Sequence, residues 1–316
     1  MMNATEHVIR RSRLIMPAHV RRFTSKAHLR NADAIVLDLE DSVPFSEKHS
    51  TRKLIQELTA DVSKGGSEVI VRVNHTKELL REDIEYSVCP ELDGLYIPKV
   101  ESVDQLKHID ELLSELEKER KIPHGQIKLG VTIETIKGYL KVEEIIQSSD
   151  RIDSLTLGAE DFSLDAGMEL CEETYKGFLI PRMKMVFVAR AYNKLPLGLM
   201  GSIANYNDEK IVERNAALAY KHGFLGASCI HPKNVEILNR CFSPSIEEIT
   251  FSRKVISLFE DGLANGKASL QLDDKMIDYA HYRKANKIID RHTRIVEFEN
   301  KKRLARELVE GGPLIE

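Results

Sequence analysis

The sequence predicts an α/β fold, a (β/α)8 TIM barrel carrying a C-terminal helical extension. Three observations point there. Eight short apolar, β-branched runs recur along the chain, separated by longer amphipathic or charged stretches. Most of these runs are apolar almost without a break, as parallel strands buried on both faces are. The 316 residues also hold a barrel of about 250 residues with room for an extension. The competing doubly wound sheet wants a glycine fingerprint after its first strand. No GxGxxG follows the first run, and no P-loop motif occurs.

Taken in order, the first run is residues 14–17, followed by a basic, helix-like segment over about 19–31. The second run, 34–39, leads into Glu40-Asp41. The third is 69–74, the fourth 94–99 and the fifth 128–134. The sixth is 154–158, the seventh about 196–200 and the eighth 227–231. After about residue 244 no further strand run is read, and 245–265 and 278–309 look helical and charged. Ser243-Pro244-Ser245 ahead of Glu247-Glu248 is a helix start signal. The expected division is therefore a barrel over 10–244 and a helical flap over 245–316.

Composition narrows the function classes. With 42% hydrophobic and 30% charged residues the chain is globular rather than disordered. A net charge of −4 gives no basic field for nucleic acid, and the lack of Trp with 6% aromatics argues against base stacking. Cys89, Cys171, Cys229 and Cys241 form no CxxC pair, so reduced thiols in a cytoplasmic protein are expected. No apolar run approaches a membrane span, and residues 14–17 are too short for a signal-peptide core.

Barrel enzymes work at the carboxyl ends of their strands, which ranks the polar residues. The second run ends in Asp38, Glu40 and Asp41, and the third holds Arg72 and ends near Asn74. The fourth ends in Lys99, the fifth in Glu134-Thr135, the sixth in Glu160-Asp161 and the eighth in His231-Pro232. Carboxylates converging on one mouth suit a hard divalent cation. Glu134 and Asp161, ending neighbouring strands, would share one Mg²⁺, the remaining positions going to water and substrate oxygens. Arg72 would grip a substrate carboxylate with its fork. The alternative is that these acids cap helices or pair with Arg and Lys. Zinc fits poorly, since no HExxH or i, i+4 histidine pair occurs. His231 reads first as a hydrogen-bonded turn before Pro232. Lys99 is the one candidate for a Schiff-base lysine, but an acidic neighbourhood favours a charged ammonium there. Arg10, Arg11, Arg13, Arg21, Arg22, Lys26 and Arg30 cluster around the first run. They would either bind the phosphates of a cofactor tail or line a solvated helix face.

These residues resemble a known family. Arg11-Ser12, Leu14, Pro17, Lys26-Ala27 and Leu37-Asp38-Leu39-Glu40-Asp41-Ser42-Val43 look like the opening of citrate lyase β-subunit-like enzymes of the HpcH/HpaI aldolase superfamily. The likeness continues through Val71-Arg72-Val73-Asn74, Ile97-Pro98-Lys99-Val100, Ile133-Glu134-Thr135 and Leu157-Gly158-Ala159-Glu160-Asp161-Phe162. Ile230-His231-Pro232-Lys233, Phe242-Ser243-Pro244-Ser245 and Lys275-Met276-Ile277-Asp278 complete it. The resemblance implies a TIM barrel in a homotrimer or hexamer with a C-terminal flap. It implies Mg²⁺ ligation by Glu134 and Asp161, with Glu40 and Asp41 in the outer shell. It also implies substrate carboxylate binding by Arg72, and coenzyme A phosphate binding by Arg11 and Lys26. Asp278 matches an acid inserted into the neighbouring subunit's site. Three departures stand out. The seventh run, Leu197-Gly198-Leu199, lacks the family's acid, Asp208-Glu209-Lys210 stands for Asp-Glu-Gly, and Asn234 replaces a usual Gln.

The expected function is a Mg²⁺-dependent carbon–carbon lyase. It would cleave or form a short 3-hydroxyacyl-CoA, such as malyl- or citramalyl-CoA, giving acetyl-CoA and a 2-keto acid. The missing acid of the seventh strand motivates one alternative, an aldolase of free hydroxy or keto acids without coenzyme A. A citryl-thioester lyase subunit and a catalytically silent scaffold are the others.

Overall fold

The computed structural model describes residues 8–169, 171, 174–309 and 311. It divides the chain into two compact units. One holds the chain up to Phe242 and takes it up again from Lys302, and the other is Ser243–Lys301.

The first unit is a parallel barrel. Its strands are β1 (Ser12–Pro17), β2 (Ala34–Asp38), β3 (Glu68–Arg72) and β4 (Gly94–Ile97), then β5 (Lys128–Ile133), β6 (Ile152–Leu157), β7 (Leu195–Leu197) and β8 (Ala227–Cys229). Each pairs with its chain neighbours and β8 returns to β1, giving the order β7-β6-β5-β4-β3-β2-β1-β8. The remaining seam, between β7 and β8, is joined by the bridge Leu197–Gly226 and by Gly198 N–H donating to Gly226 O at 2.8 Å. All eight runs read from the sequence are therefore strands of one sheet.

Helices pack outside it: α1 (Arg21–Thr24), α2 (Lys48–Arg52), α3 (Ile55–Ser63), α4 (Lys77–Ser87), α5 (Val103–Glu119), α6 (Ile136–Leu140), α7 (Val142–Ile146), α8 (Ala159–Asp165), α9 (Tyr175–Ala191), α10 (Glu209–Lys221) and α11 (Asn234–Cys241). Helix α5 shows the local logic. Ser102 caps it by accepting from Gln105 N–H, and Leu106, Ile109, Leu113 and Leu116 form its buried stripe at i, i+3, i+7 and i+10. The helix expected over 19–31 is cut down to α1 and a 3₁₀ turn, Ala27–Leu29. No side chain caps α1, and it ends in Thr24 with Ser25 next, residues whose hydroxyls compete for backbone groups.

Strand alternation sorts the core. Ile35, Leu37, Val69, Val71, Leu95 and Ile97 face the helices, whereas Ala34, Val36, Ile70 and Tyr96 form a small separate cluster on the other face, inside the barrel. Arg13 is buried there with its guanidinium 4.6 Å above the Tyr96 ring, donating to Thr156 Oγ1 at 2.9 Å. At the amino-terminal end, Arg10 binds Glu68 (2.7 Å) and Asp153 (2.9 Å).

The second unit holds α12 (Ile246–Ala264), the hairpin β9 (Leu270–Leu272) and β10 (Lys275–Ile277), and most of α13 (Tyr279–Val309). The start signal read from the sequence is a full capping box between Ser245 and Glu248. Val255, Phe259, Ile277 and Ala285 make its core, with Tyr279 and Tyr282 rings 4.9 Å from Phe259. The hairpin corrects the expectation of no strand after residue 244. Its two-residue turn places Asp273 and Asp274 at φ 46° and 60°, the conformation a tight antiparallel turn needs. The end of α13 belongs to the first unit, where buried Lys302 Nζ lies 2.7 Å from Asp33. Among the described residues, no helix is long and apolar enough to cross a membrane.

Candidate active site

Strand register builds the first part of the site. β2 and β3 align Asp38 beside Arg72, and Arg72 donates from Nε to Asp38 Oδ1 at 2.6 Å and from Nη2 to Oδ2 at 2.7 Å. Asp38 also accepts from the backbone N–H of Glu40 (2.9 Å) and Ser42 (3.1 Å) and from the Ser42 hydroxyl. Burial alone would raise this carboxyl, but Arg72 outweighs it and holds Asp38 below the usual range. Desolvation likewise opposes the Arg72 charge, and Asp38 and Glu40 more than restore it.

The turn that Asp38 shapes carries Glu40 into the mouth. Glu40 is buried, with Oε2 3.1 Å from Arg72 Nη1 but not aligned as a hydrogen bond. Its Oε1 meets His75 Nδ1 at 3.2 Å and Lys99 Nζ at 3.9 Å. Burial, only partly offset by Arg72, pushes its carboxyl up to about 7. Lys48 Nζ fixes the turn by donating to Leu39 O (2.9 Å), Glu40 O (2.8 Å) and Asn74 Oδ1 (2.7 Å). Asn74 in turn is held by Asp83, which also binds Arg52. Asp41 is exposed, 4.0 Å from Arg72 Nη1.

Glu134 follows β5 and is 6% exposed. Its Oε2 is buried without a hydrogen-bond partner. Burial first, then the nearby Glu40 and Asp161 carboxylates, push it up to about 8. The turn after β6 makes room for it: a Cβ on Gly158 would lie 2.4 Å from Glu134 Cγ. Asp161, in the first turn of α8 and 43% exposed in its side chain, has Lys99 Nζ at 3.7 Å.

A buried carboxylate oxygen without a partner, flanked by further acids, is a donor set for a hard cation. Among the described residues no group of three His, Cys, Asp or Glu forms a ready ligand set. An ion held by Glu134 and Asp161 would therefore complete its shell with water and substrate oxygens, as Mg²⁺ commonly does. The residues fit that ion.

Other expected site residues fall elsewhere. Arg11 precedes β1, at the end of the barrel opposite the mouth. It is 3% exposed and locked to Asp33 through Nε (2.8 Å) and Nη2 (2.9 Å). No phosphate reaches it, so the coenzyme role expected of Arg11 is corrected, and the same burial removes Arg10 and Arg13 from the basic cluster. Lys26, between α1 and the 3₁₀ turn, is exposed, as are Arg21 and Arg22. The reduced first helix borders a cavity of about 670 Å³ lined by Met16, Pro17, Phe23, Leu29, Arg30, His231 and Lys233. His231 serves the turn, its Nδ1 accepting from Lys233 N–H at 3.2 Å, and it stacks on Tyr206. Asp278 lies in the second unit, where Oδ1 accepts from Ala280 N–H (2.9 Å) and meets His281 Nδ1 at 2.7 Å. These bonds hold its carboxyl below the usual range. The adjoining Ile277 is buried in its own unit's core, while Met276 is 63% exposed. The sequence reading missed Lys48, His75 and the service of Gly158. For Gly158 the signal was a glycine directly after a strand and before two acids.

Comparison with known proteins gives a consistent picture. Residues 11–232 match the family model described as HpcH/HpaI aldolase/citrate lyase. The citrate lyase subunit β of Leuconostoc mesenteroides subsp. cremoris is 30% identical over 271 residues, covering 85% of this chain and 89% of that protein. The human mitochondrial citramalyl-CoA lyase is 27% identical over 303 residues, covering 92% and 88%. The L-malyl-CoA/β-methylmalyl-CoA lyase of Rhodobacter capsulatus is 29% identical over 285 residues, covering 82% and 86%. In fold, the chain resembles the Mycobacterium tuberculosis protein CitE, solved with magnesium, acetoacetate and coenzyme A, at TM-score 0.72 and 21% identity over 91% of this chain and 99% of that one.

Proposed function

Because the chain belongs to the HpcH/HpaI aldolase/citrate lyase family, we propose that this lyase uses Mg²⁺ to cleave or form a carbon–carbon bond in a short 3-hydroxyacyl-CoA. Malyl-CoA and citramalyl-CoA are the type, and the products of cleavage are acetyl-CoA and a 2-keto acid. The observation that carries the reading is the buried, unpartnered Glu134 oxygen in an acid cluster beside Arg72.

Glu134 and Asp161 hold the ion, with Glu40 and Asp41 around it. When bound, Mg²⁺ supplies Lewis-acid polarisation of substrate oxygen and a template for the acid half. Arg72 meets the substrate carboxylate through its Nη1 end, because its Nε/Nη2 edge is already committed to Asp38. In cleavage the hydroxyl proton passes to water in the mouth, the hydroxyl oxygen becomes the keto oxygen as the carbon–carbon bond breaks, and the electron pair of that bond passes to the α-carbon of the acyl thioester. Asp278 of a neighbouring copy gives that carbon its proton, or removes one in the condensing direction. The reading includes a homo-oligomer, trimer or hexamer, and a cytoplasmic location, in keeping with four free cysteines. The thioester arm lies in the cavity by β1 and β8, with Lys26 at its phosphates in place of the two-residue set that included Arg11.

A second reading has one observation in its favour. β7 ends at Leu197 and runs on into Gly198-Leu199 with no acid, which suits an aldolase of free hydroxy or keto acids. One experiment separates the two. Purified protein with Mg²⁺ is offered malyl-CoA, citramalyl-CoA and the corresponding free acids, and released 2-keto acid is measured. Release from the thioesters supports the main reading, and release from free acids alone supports the second. Without keto acid from any substrate, both fall.

A further inference from the structure

Lys99 is held in an unusual way. It follows β4 with φ 50°, in the left-handed region that side-chain-bearing residues seldom adopt. The other non-glycine residues at positive φ among those described, Lys121, Asn193, Asp273 and Asp274, are in exposed turns. Lys99 is in the mouth, and the backbone of the residue that follows it is pinned twice. Val100 N–H donates to Thr132 O at 3.2 Å, and Val100 O packs so tightly on Gly138 that a Cβ there would lie 2.3 Å away. The distorted backbone aims the ammonium at the acids, 3.7 Å from Asp161 and 3.9 Å from Glu40.

The other nearby cations are spoken for. Arg72 is committed to Asp38, and Lys48 to two carbonyls and Asn74. Among the described residues, Lys99 is the cation within ion-pair distance of Asp161.

We infer that Lys99 is a resident counter-cation of the acid cluster, holding Asp161 while the site lacks its divalent ion and competing with that ion for it. The inference rests on the metal reading proposed above. Its consequence is that the free protein binds a divalent cation weakly, because loading must displace an ammonium from a ligand. The backbone strain keeps the competitor in place, where a relaxed lysine would drift into solvent.

The test is direct binding of Mn²⁺ to the whole protein, followed by the paramagnetic resonance signal of the free ion, with no substrate present. Lys99→Met removes the charge. Lys99→Gly removes it with a residue that adopts positive φ without strain, so folding is safeguarded. Lys99→Arg keeps the charge, and Asp161→Asn marks the site. Both neutral variants should bind Mn²⁺ about tenfold more tightly than the wild type, while Lys99→Arg stays near it. Unchanged or weaker binding in the neutral variants, or equal tightening by Lys99→Arg, overturns the counter-cation role and leaves the metal reading standing. Absence of Asp161-dependent Mn²⁺ binding in every protein overturns both.

Discussion

At the residue scale, Glu134 links the site to stability. Its carboxyl ionises at about 8 in the fold against an ordinary 4.5, owing to burial and then to Glu40 and Asp161. The folded state thus keeps a proton that the unfolded chain gives up between those values. The stability this group contributes is full below pH 4.5 and is lost as pH rises through about 8. Glu40, pushed up to about 7, acts in the same direction. Calorimetry of EDTA-treated protein should show the melting temperature falling from pH 5 to pH 8.5. Glu134→Gln should flatten that fall, and an equally steep fall in the variant would exclude Glu134 as its source. Arg11 and Lys26 should separate cleanly. Arg11→Ala strips a partner from buried Asp33, which keeps Lys302, and should cost about 3 kcal/mol of stability with the thioester KM unchanged. Lys26→Ala, at an exposed position, should raise that KM without moving kcat or the melting temperature. A KM effect from Arg11→Ala in folded protein would reopen its coenzyme role. The sequence ranked Glu134, Asp161, Arg72 and Lys99 by strand end, and the fold brings them together at one mouth. It grouped Arg11 by charge instead, although a residue ahead of the first strand belongs to the far end of a barrel. The Asp38–Arg72 fork depends on β2–β3 register, which a run of apolar residues does not reveal.

At the element scale, the eight strands were legible because each lies in a short, mainly apolar run between polar segments. The elements that were not legible are short ones. α1 has four residues, too few for a helical period to show, and β9 and β10, three residues each, are largely exposed and carry Gln271 and Lys275, whereas β7 and β8, equally short, are buried throughout. Short turns also decide the site. The β6–α8 turn must pass within contact distance of the Glu134 side chain, and Gly158 permits it. Gly158→Ala would put a methyl 2.4 Å from Glu134 Cγ and 2.8 Å from Oε1, so the carboxylate or the turn has to move. The backbone at Gly158, φ −80° and ψ 90°, is open to alanine, so the conflict is one of space alone. Overpacking of this kind costs roughly 1–3 kcal/mol. The expected result is a folded variant whose Mn²⁺ affinity drops as steeply as that of Glu134→Gln. Wild-type Mn²⁺ binding by Gly158→Ala would show that Glu134 is not a ligand.

At the scale of the whole molecule, the two proposed catalytic residues belong to different compact units, Arg72 to the barrel and Asp278 to Ser243–Lys301. Asp278 opens α13 in the manner of a helix cap, and a cap alone would explain an acid there. Its surroundings add something a cap does not need. Met276 and Tyr279, on either side of the buried Ile277 and of Asp278 itself, are exposed. An acid between exposed apolar side chains is suited to insertion against another surface, which shields it from water and presents its proton. If that surface is a neighbouring copy's barrel mouth, every active site draws Arg72 from one chain and Asp278 from another. Asp278→Ala protein and Arg72→Ala protein should then each retain only a small fraction of wild-type kcat. Hetero-oligomers formed by co-expression of differently tagged chains should regain activity, because some of their sites pair an intact Arg72 with an intact Asp278. The regained activity should vanish when Asp278→Ala chains are mixed with chains carrying both changes, since no site then holds both groups. Confirmed mixed oligomers that stay inactive would place the action of Asp278 within its own subunit, or reduce it to capping α13.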